Sequence, residues 1–305
     1  MWSGRILLKL CYVAFWLTWL PSCVSVSAKQ PSPAANSRNE RGLQYLHARD
    51  YDRAIVEFDE AIKLAPDFYL AYINRGSVYV AKREPDRAIQ DYDQAIKLKP
   101  DSFGAFFGRS TAFHAKGDYV LEIQDLSHAL RSKLDSSIQT ITRQPADLYA
   151  AALNNRGDAY FRMKDFEHAI RDYDRAITLD PYFAMAYNAR CWMRATANRD
   201  LGAALADCDY ALRLQPDDPR SLDSRAFVHF RMGQFEQAVA DASASLEHAT
   251  GPALKLGARA AGTFYVRGLA KRRLGDLTGA DADLASARGL DSQVDRKYAE
   301  YGVGP

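Results

Sequence analysis

Two stretches of the chain nearly coincide: NRGSVYVAKREPDRAIQDYDQAIKLKPD at 74–101 returns as NRGDAYFRMKDFEHAIRDYDRAITLDPY at 155–182. The 81-residue offset equals two periods of 34 and an insertion of 13. A period of this length marks an array of stacked supersecondary units, each too small to bury its own apolar face.

Taking Pro66, Pro100 and Pro181 as equivalent helix-ending markers and counting back divides the chain into seven units. They run near 35–68, 69–102, 103–136, 150–183, 184–218, 219–252 and 261–294, with insertions near 137–149 and 253–260. In the clearest units small residues recur at the eighth, twentieth and twenty-seventh places: Gly42, Ala54 and Ala61; Gly76, Ala88 and Ala95; Gly157, Ala169 and Ala176. Aromatic residues recur at the eleventh and twenty-fourth: Tyr45 and Phe58, Tyr79 and Tyr92, Tyr160 and Tyr173. Small residues let two helices approach while the rings fill the space between units, so each unit is an antiparallel helix pair. Gly117-Asp118, Lys164-Asp165, Gly233-Gln234 and Gly275-Asp276 fall at the turns, where a left-handed residue closes one helix and a polar one caps the next.

These residues resemble the tetratricopeptide repeat over about residues 35–294. The resemblance implies an all-α fold, a right-handed α-solenoid of about seven helix pairs, with residues 295–305 as a short C-terminal cap over the last unit's apolar edge. It departs at Glu122, where Ala is usual, and at the seventh place. That place is Arg41, Arg75, Arg109, Arg156, Arg190, Arg225 and Arg267, and the twenty-third is Glu57, Asp91, Asp125, Asp172, Asp207, Asp241 and Asp283. Helices turning near place 15 bring these places together, so a ladder of ion pairs within or between units is expected, with an anion site as the sharper alternative.

In the resembled family the first helices line a concave groove. Carried over place by place, its wall comprises Leu43, Ile73, Phe107, Phe161, Trp192, Phe227, Phe230 and Tyr265, with Asn39, Asn154, Asn188 and Asp223 between them. Surplus aromatics there imply a non-enzymatic scaffold that takes a protein or peptide segment. A carboxylate clamp is disfavoured: Asn74 matches one of its places, but Asn39, Gly104 and Gly108 stand where basic residues would be needed.

The first 28 residues read differently. Arg5 and Lys9 precede an apolar run from Leu10 to Leu20, and Val26-Ser27-Ala28 offers a cleavage site, so 1–28 is expected to be a signal peptide and 29–34 a flexible linker. The apolar run is shorter than a spanning helix needs. Export to the periplasm follows, with a lipid-anchored envelope assembly factor as the alternative, because Leu20-Pro21-Ser22-Cys23 resembles a lipobox with Cys23 as the lipidated residue. Removing 1–28 takes two of 40 basic residues and none of 38 acidic ones, so the remaining chain is formally neutral and nucleic acid is not an expected partner. Membrane association is expected only through Cys23.

Two cysteines remain, Cys191 and Cys208, on facing helices of one unit; a disulfide and a pair of buried thiols both fit. No metal set or cofactor motif stands out, and no catalytic residues are assigned: the six histidines are scattered, and the insertion SSIQTITRQPADLYA holds neither His nor Cys.

Overall fold

The computed structural model describes residues 30–132, 145–249 and 258–304. Among them the chain forms fifteen helices and no strand. Seven antiparallel pairs run in order: α1 (Pro33–His47) with α2 (Tyr51–Leu64), α3 (Tyr69–Ala81) with α4 (Pro85–Leu98), α5 (Phe103–Lys116) with α6 (Tyr119–Ala129), and α7 (Pro145–Arg162) with α8 (Phe166–Leu179). Then come α9 (Ala184–Thr196) with α10 (Leu201–Leu214), α11 (Pro219–Arg231) with α12 (Phe235–His248), and α13 (Ala258–Arg273) with α14 (Leu277–Leu290). A short α15 (Val294–Glu300) follows. The fold is the expected all-α solenoid. The leader, including Cys23, lies outside the described residues.

The repeated small residues are fully buried, as close helix approach requires: Ala54, Ala61, Ala88, Ala95, Ala169 and Ala176 show no exposed surface. The twenty-fourth-place rings stand on the glycines of the facing helix. A Cβ on Gly76 would meet Tyr92 Cε1 at 3.0 Å, and one on Gly157 would meet Tyr173 Cε1 at 2.7 Å. Tyr92 is also pressed from the next unit, since a Cβ on Gly108 would lie 2.4 Å from the same atom. Each such ring removed from water contributes about 1.5–3 kcal/mol.

Several boundaries differ from the sequence reading. Helix α1 begins at Pro33, inside the segment expected to be a linker: Ser32 caps it by accepting from the Ala35 amide at 3.2 Å, and Pro33 suits a first-turn position that needs no donor. The first helices after the two insertions reach back into them, starting at Pro145 and Ala258. The turns use left-handed residues as expected at Gly117, Lys164, Gly233 and Gly275, and also at Arg49, Arg83 and Asn198. Of the proposed caps, Asp165 and Asp276 accept from His168 and Gly279 amides, whereas Asp118 and Gln234 make no side-chain cap bond.

Candidate functional site

A ladder of guanidinium groups positions the first helices. In six units the seventh-place Arg grips the twenty-third-place Asp with two parallel bonds of 2.5–2.9 Å: Arg75–Asp91, Arg109–Asp125, Arg156–Asp172, Arg190–Asp207, Arg225–Asp241 and Arg267–Asp283. The remaining Nη1 reaches into the preceding unit, two residues past that unit's own ladder carboxylate. It meets Asp59, Asp93, Asp174 and Asp209 from Arg75, Arg109, Arg190 and Arg225 at 2.5–2.9 Å, and the hydroxyls of Ser127 and Ser243 from Arg156 and Arg267 at 2.9 and 3.2 Å. The ladder therefore works both within and between units. The Asp91 hydrogen bonds hold Arg75 above the ordinary arginine pKa, so the guanidinium stays charged, while burial raises the Asp91 carboxyl above its usual value. With every nitrogen occupied, these arginines serve register and not an external anion.

The proposed wall residues divide in two. Leu43, Phe107, Phe161, Asn188, Trp192 and Phe230 are half-buried on the first helices. Ile73, Asn154, Asp223, Phe227 and Tyr265 are buried, the last two completely, so they do not form the free surface that their places implied. Asn39 is buried and accepts from the Asn74 amide at 2.8 Å, and Thr263 donates to Asp223 at 2.7 Å. The Oδ1 atoms of Asn154 and Asn188 are buried without a hydrogen-bond partner among the described residues.

Phe227 and Tyr265 are covered by the chain's own C-terminus. The segment from Val294 to Val303 packs on the last unit, with Asp295 paired to Arg288 and Tyr298 against Tyr265, and it also reaches the first helices of earlier units. Tyr298 lies 5.6 Å from Phe227 and 4.8 Å from Tyr265 between ring centres, and a Cβ on Gly262 would meet its hydroxyl at 2.6 Å. Tyr301 reaches further back, 6.2 Å from Trp192 and 6.3 Å from Phe227. Its carbonyl accepts from Arg231 Nη2, and Glu300 comes within 3.9 Å of Lys164. Place numbers alone carry no signal for this contact, because the segment lies outside the repeat.

A second feature lies between the third and fourth units, where a cavity of about 160 Å3 is lined by Ser110, Thr111, His114, Glu122, Asn155 and Asp158. Glu122, the departure at the twentieth place, is buried and sits 3.0 Å from His114 Nδ1, whose pKa it raises. Asp158 accepts from the Tyr173 hydroxyl at 2.7 Å, and burial pushes its pKa up to about 6.

Cys191 and Cys208 form a disulfide, both fully buried, with Cα atoms 5.6 Å apart across α9 and α10. Among the described residues no cluster suited to a metal appears, and no helix is long and apolar enough to cross a membrane.

Comparison with known proteins agrees with this architecture. The tetratricopeptide repeat family matches residues 150–183, and a second family of the same description matches 39–103 and 73–136. The chain is 32% identical over 100 residues to Protein STIP1 homolog of Dictyostelium discoideum, covering 32% of this chain and 17% of that protein. It is 33% identical over 110 residues to the mitochondrial import receptor subunit TOM70 of Saccharomyces cerevisiae, covering 35% and 17%. It thus spans under a fifth of the length of these relatives. A tetratricopeptide repeat protein from Parabacteroides merdae superposes with a TM-score of 0.64 at 15% identity, covering 89% of this chain and 100% of that one. PilW, described as a widely conserved type IV pilus biogenesis factor, superposes at 0.61 with 18% identity, covering 70% and 92%. At these identities the superpositions speak to fold alone. Repeats of this kind generally mediate protein–protein interactions and are generally not enzymes. The chain thus carries tetratricopeptide repeats over residues 39–136 and 150–183, and its remaining units repeat the same helix pair in one register.

Proposed function

We propose that the chain is a non-enzymatic scaffold that holds a segment of another protein against the face made by its first helices. One observation carries this reading. That face already holds a peptide-like segment, Val294–Val303, through ring contacts to Trp192, Phe227 and Tyr265 and a hydrogen bond from the Arg231 guanidinium to the Tyr301 carbonyl. Phe107 and Phe161 on other units, and Phe230 beside Phe227 on α11, continue the half-buried aromatic wall and extend the surface available to a partner.

Variants at Phe227 or Tyr265 would damage the core, so the test uses Phe107→Ala, Phe161→Ala and Phe230→Ala together. The triple variant is expected to keep its helical circular dichroism and lose a protein that the unaltered chain captures from its native host. Retention of that protein by both chains would move recognition away from the first helices.

The leader at 1–28 supports an exported, periplasmic chain, and the Leu20-Pro21-Ser22-Cys23 stretch supports the alternative of a lipid-anchored envelope assembly factor that recruits envelope enzymes. Intact mass separates them: ordinary cleavage leaves Lys29 first, whereas lipidation leaves an acylated Cys23.

A further inference from the structure

One cation at the seat of the C-terminal segment lacks what the ladder arginines have. Arg231 closes α11 with its guanidinium carbon 5.2 Å from the Phe227 ring centre. Nη2 donates to the Tyr301 carbonyl, but Nε is buried and makes no hydrogen bond among the described residues. Burial alone acts on its pKa, drawing it below the ordinary arginine value, and among the described residues no carboxylate pairs with it. A neutral carbonyl is a weak partner for a desolvated guanidinium, which binds a carboxylate with two parallel bonds far better. On the scaffold side the neighbouring charges are also cations: Lys164 stands 3.9 Å from Glu300 of the segment, and Arg162 acts on Tyr301 against that same Glu300.

The segment seated there owes its order to docking. Helix α15 has seven residues and no side-chain N-cap bond, and a helix that short does not persist without docking. Its hold comes from Tyr298 and Tyr301, three residues apart on one side, from Val294 and Val303, and at its start from the two bonds of Arg288 to Asp295 at 2.7 and 2.9 Å.

We propose that residues 294–303 are a placeholder, and that their seat on α9, α11 and α13 is the binding site for an acidic aromatic segment of a partner protein. Its rings replace Tyr298 and Tyr301, and its carboxylate completes the hydrogen bonding of Arg231. The proposal rests on the reading of the first-helix face as a docking surface and adds the chemistry of the occupant and the self-contact that it must displace.

The test uses the full chain, unaltered and as Tyr298→Ala/Tyr301→Ala, titrated calorimetrically with a synthetic peptide of residues 291–305 and with the same peptide carrying Gly302→Asp. Position 302 follows the carbonyl held by Arg231 and has φ of 71°, a conformation that Asp tolerates better than most residues. Amide exchange over 294–300 should become fast in the double variant. That variant should bind the unmodified peptide about tenfold more tightly than the unaltered chain does, because its seat is no longer occupied. The Gly302→Asp peptide should gain about a further fivefold, and Arg231→Gln should erase that gain. No gain, or one that survives Arg231→Gln, overturns the acidic preference; retained exchange protection over 294–300 overturns the placeholder. A released segment with neither peptide bound overturns the docking reading itself. A doubled mass for the unaltered chain in light scattering would give the seat to the tail of a second copy and overturn the proposal.

Discussion

Arg109 joins two units through Asp93: its Nη1 lies 2.5 Å from that carboxylate in the preceding unit, while Nε and Nη2 hold Asp125 of its own. The two carboxylates differ in environment, Asp125 being 5% and Asp93 43% exposed at the side chain. Asp125→Ala should therefore cost about 3 kcal/mol, because it strips the main partner from a half-buried cation. Asp93→Ala should cost under about 1 kcal/mol, since an exposed pair contributes little. Urea unfolding of both variants checks the order, and equal losses would contradict the division of labour.

Gly108 and Gly202 make a matched pair of substitutions. Gly108→Ala drives a Cβ into Tyr92, which is held from the other side by Gly76, and should destabilise by about 1–3 kcal/mol. Gly202→Ala on α10 meets nothing within 4 Å and should stabilise by up to about 1 kcal/mol through helix propensity. Thermal unfolding of the two variants should move in opposite directions.

Asp158 should make stability depend on pH. Burial raises its pKa from 3.8 to about 6 in the folded chain, so folding favours the protonated acid. Its contribution is fully present below 3.8 and is lost as pH rises through about 6. His114, raised by its hydrogen bond to Glu122, acts with the same sign in a higher window. Asp158→Asn, which keeps an acceptor for the Tyr173 hydroxyl, should flatten the profile between about pH 4 and 6 and stabilise the chain at neutral pH by roughly 1–3 kcal/mol. Melting temperatures across that range read the effect; an unchanged slope would show that the carboxylate is ionised at no cost.

The Cys191–Cys208 bridge closes a short loop of 17 residues. Replacing both by Ala should lower stability by about 2–4 kcal/mol, measured as a denaturant midpoint. Because both sulfurs are fully buried, reductant added to the folded chain should release no thiol to a colorimetric reagent until denaturant is present.

The period made most of the fold legible. It fixed the helix pairs, the buried alanines and the pairing of the seventh and twenty-third places, since each follows from where a residue stands in its unit. The third contact, to Asp59, Asp93, Asp174 and Asp209 from four of the arginines and to Ser127 and Ser243 from the other two, needs the stacking geometry to be recognised. Place numbers also located Trp192 and Phe227 on the first helices. They did not foretell that Tyr298 and Tyr301 would cover them, because a ring contact between distant, non-repeating residues leaves no periodic trace. For Cys191 and Cys208 the spacing allowed two outcomes, and only the approach of the two backbones decides between them.

The hydroxyls of Ser127 and Ser243 fall at the two unit boundaries that follow the insertions, where a charged strut gives way to a neutral one. Of the six struts between units, salt would therefore screen four and leave these two unchanged. The second of these boundaries also has a clasp: Tyr301, beyond the last unit, reaches back to Trp192 and Arg231 in the fifth and sixth. Whatever unseats that tyrosine loosens a joint as well as uncovering a surface.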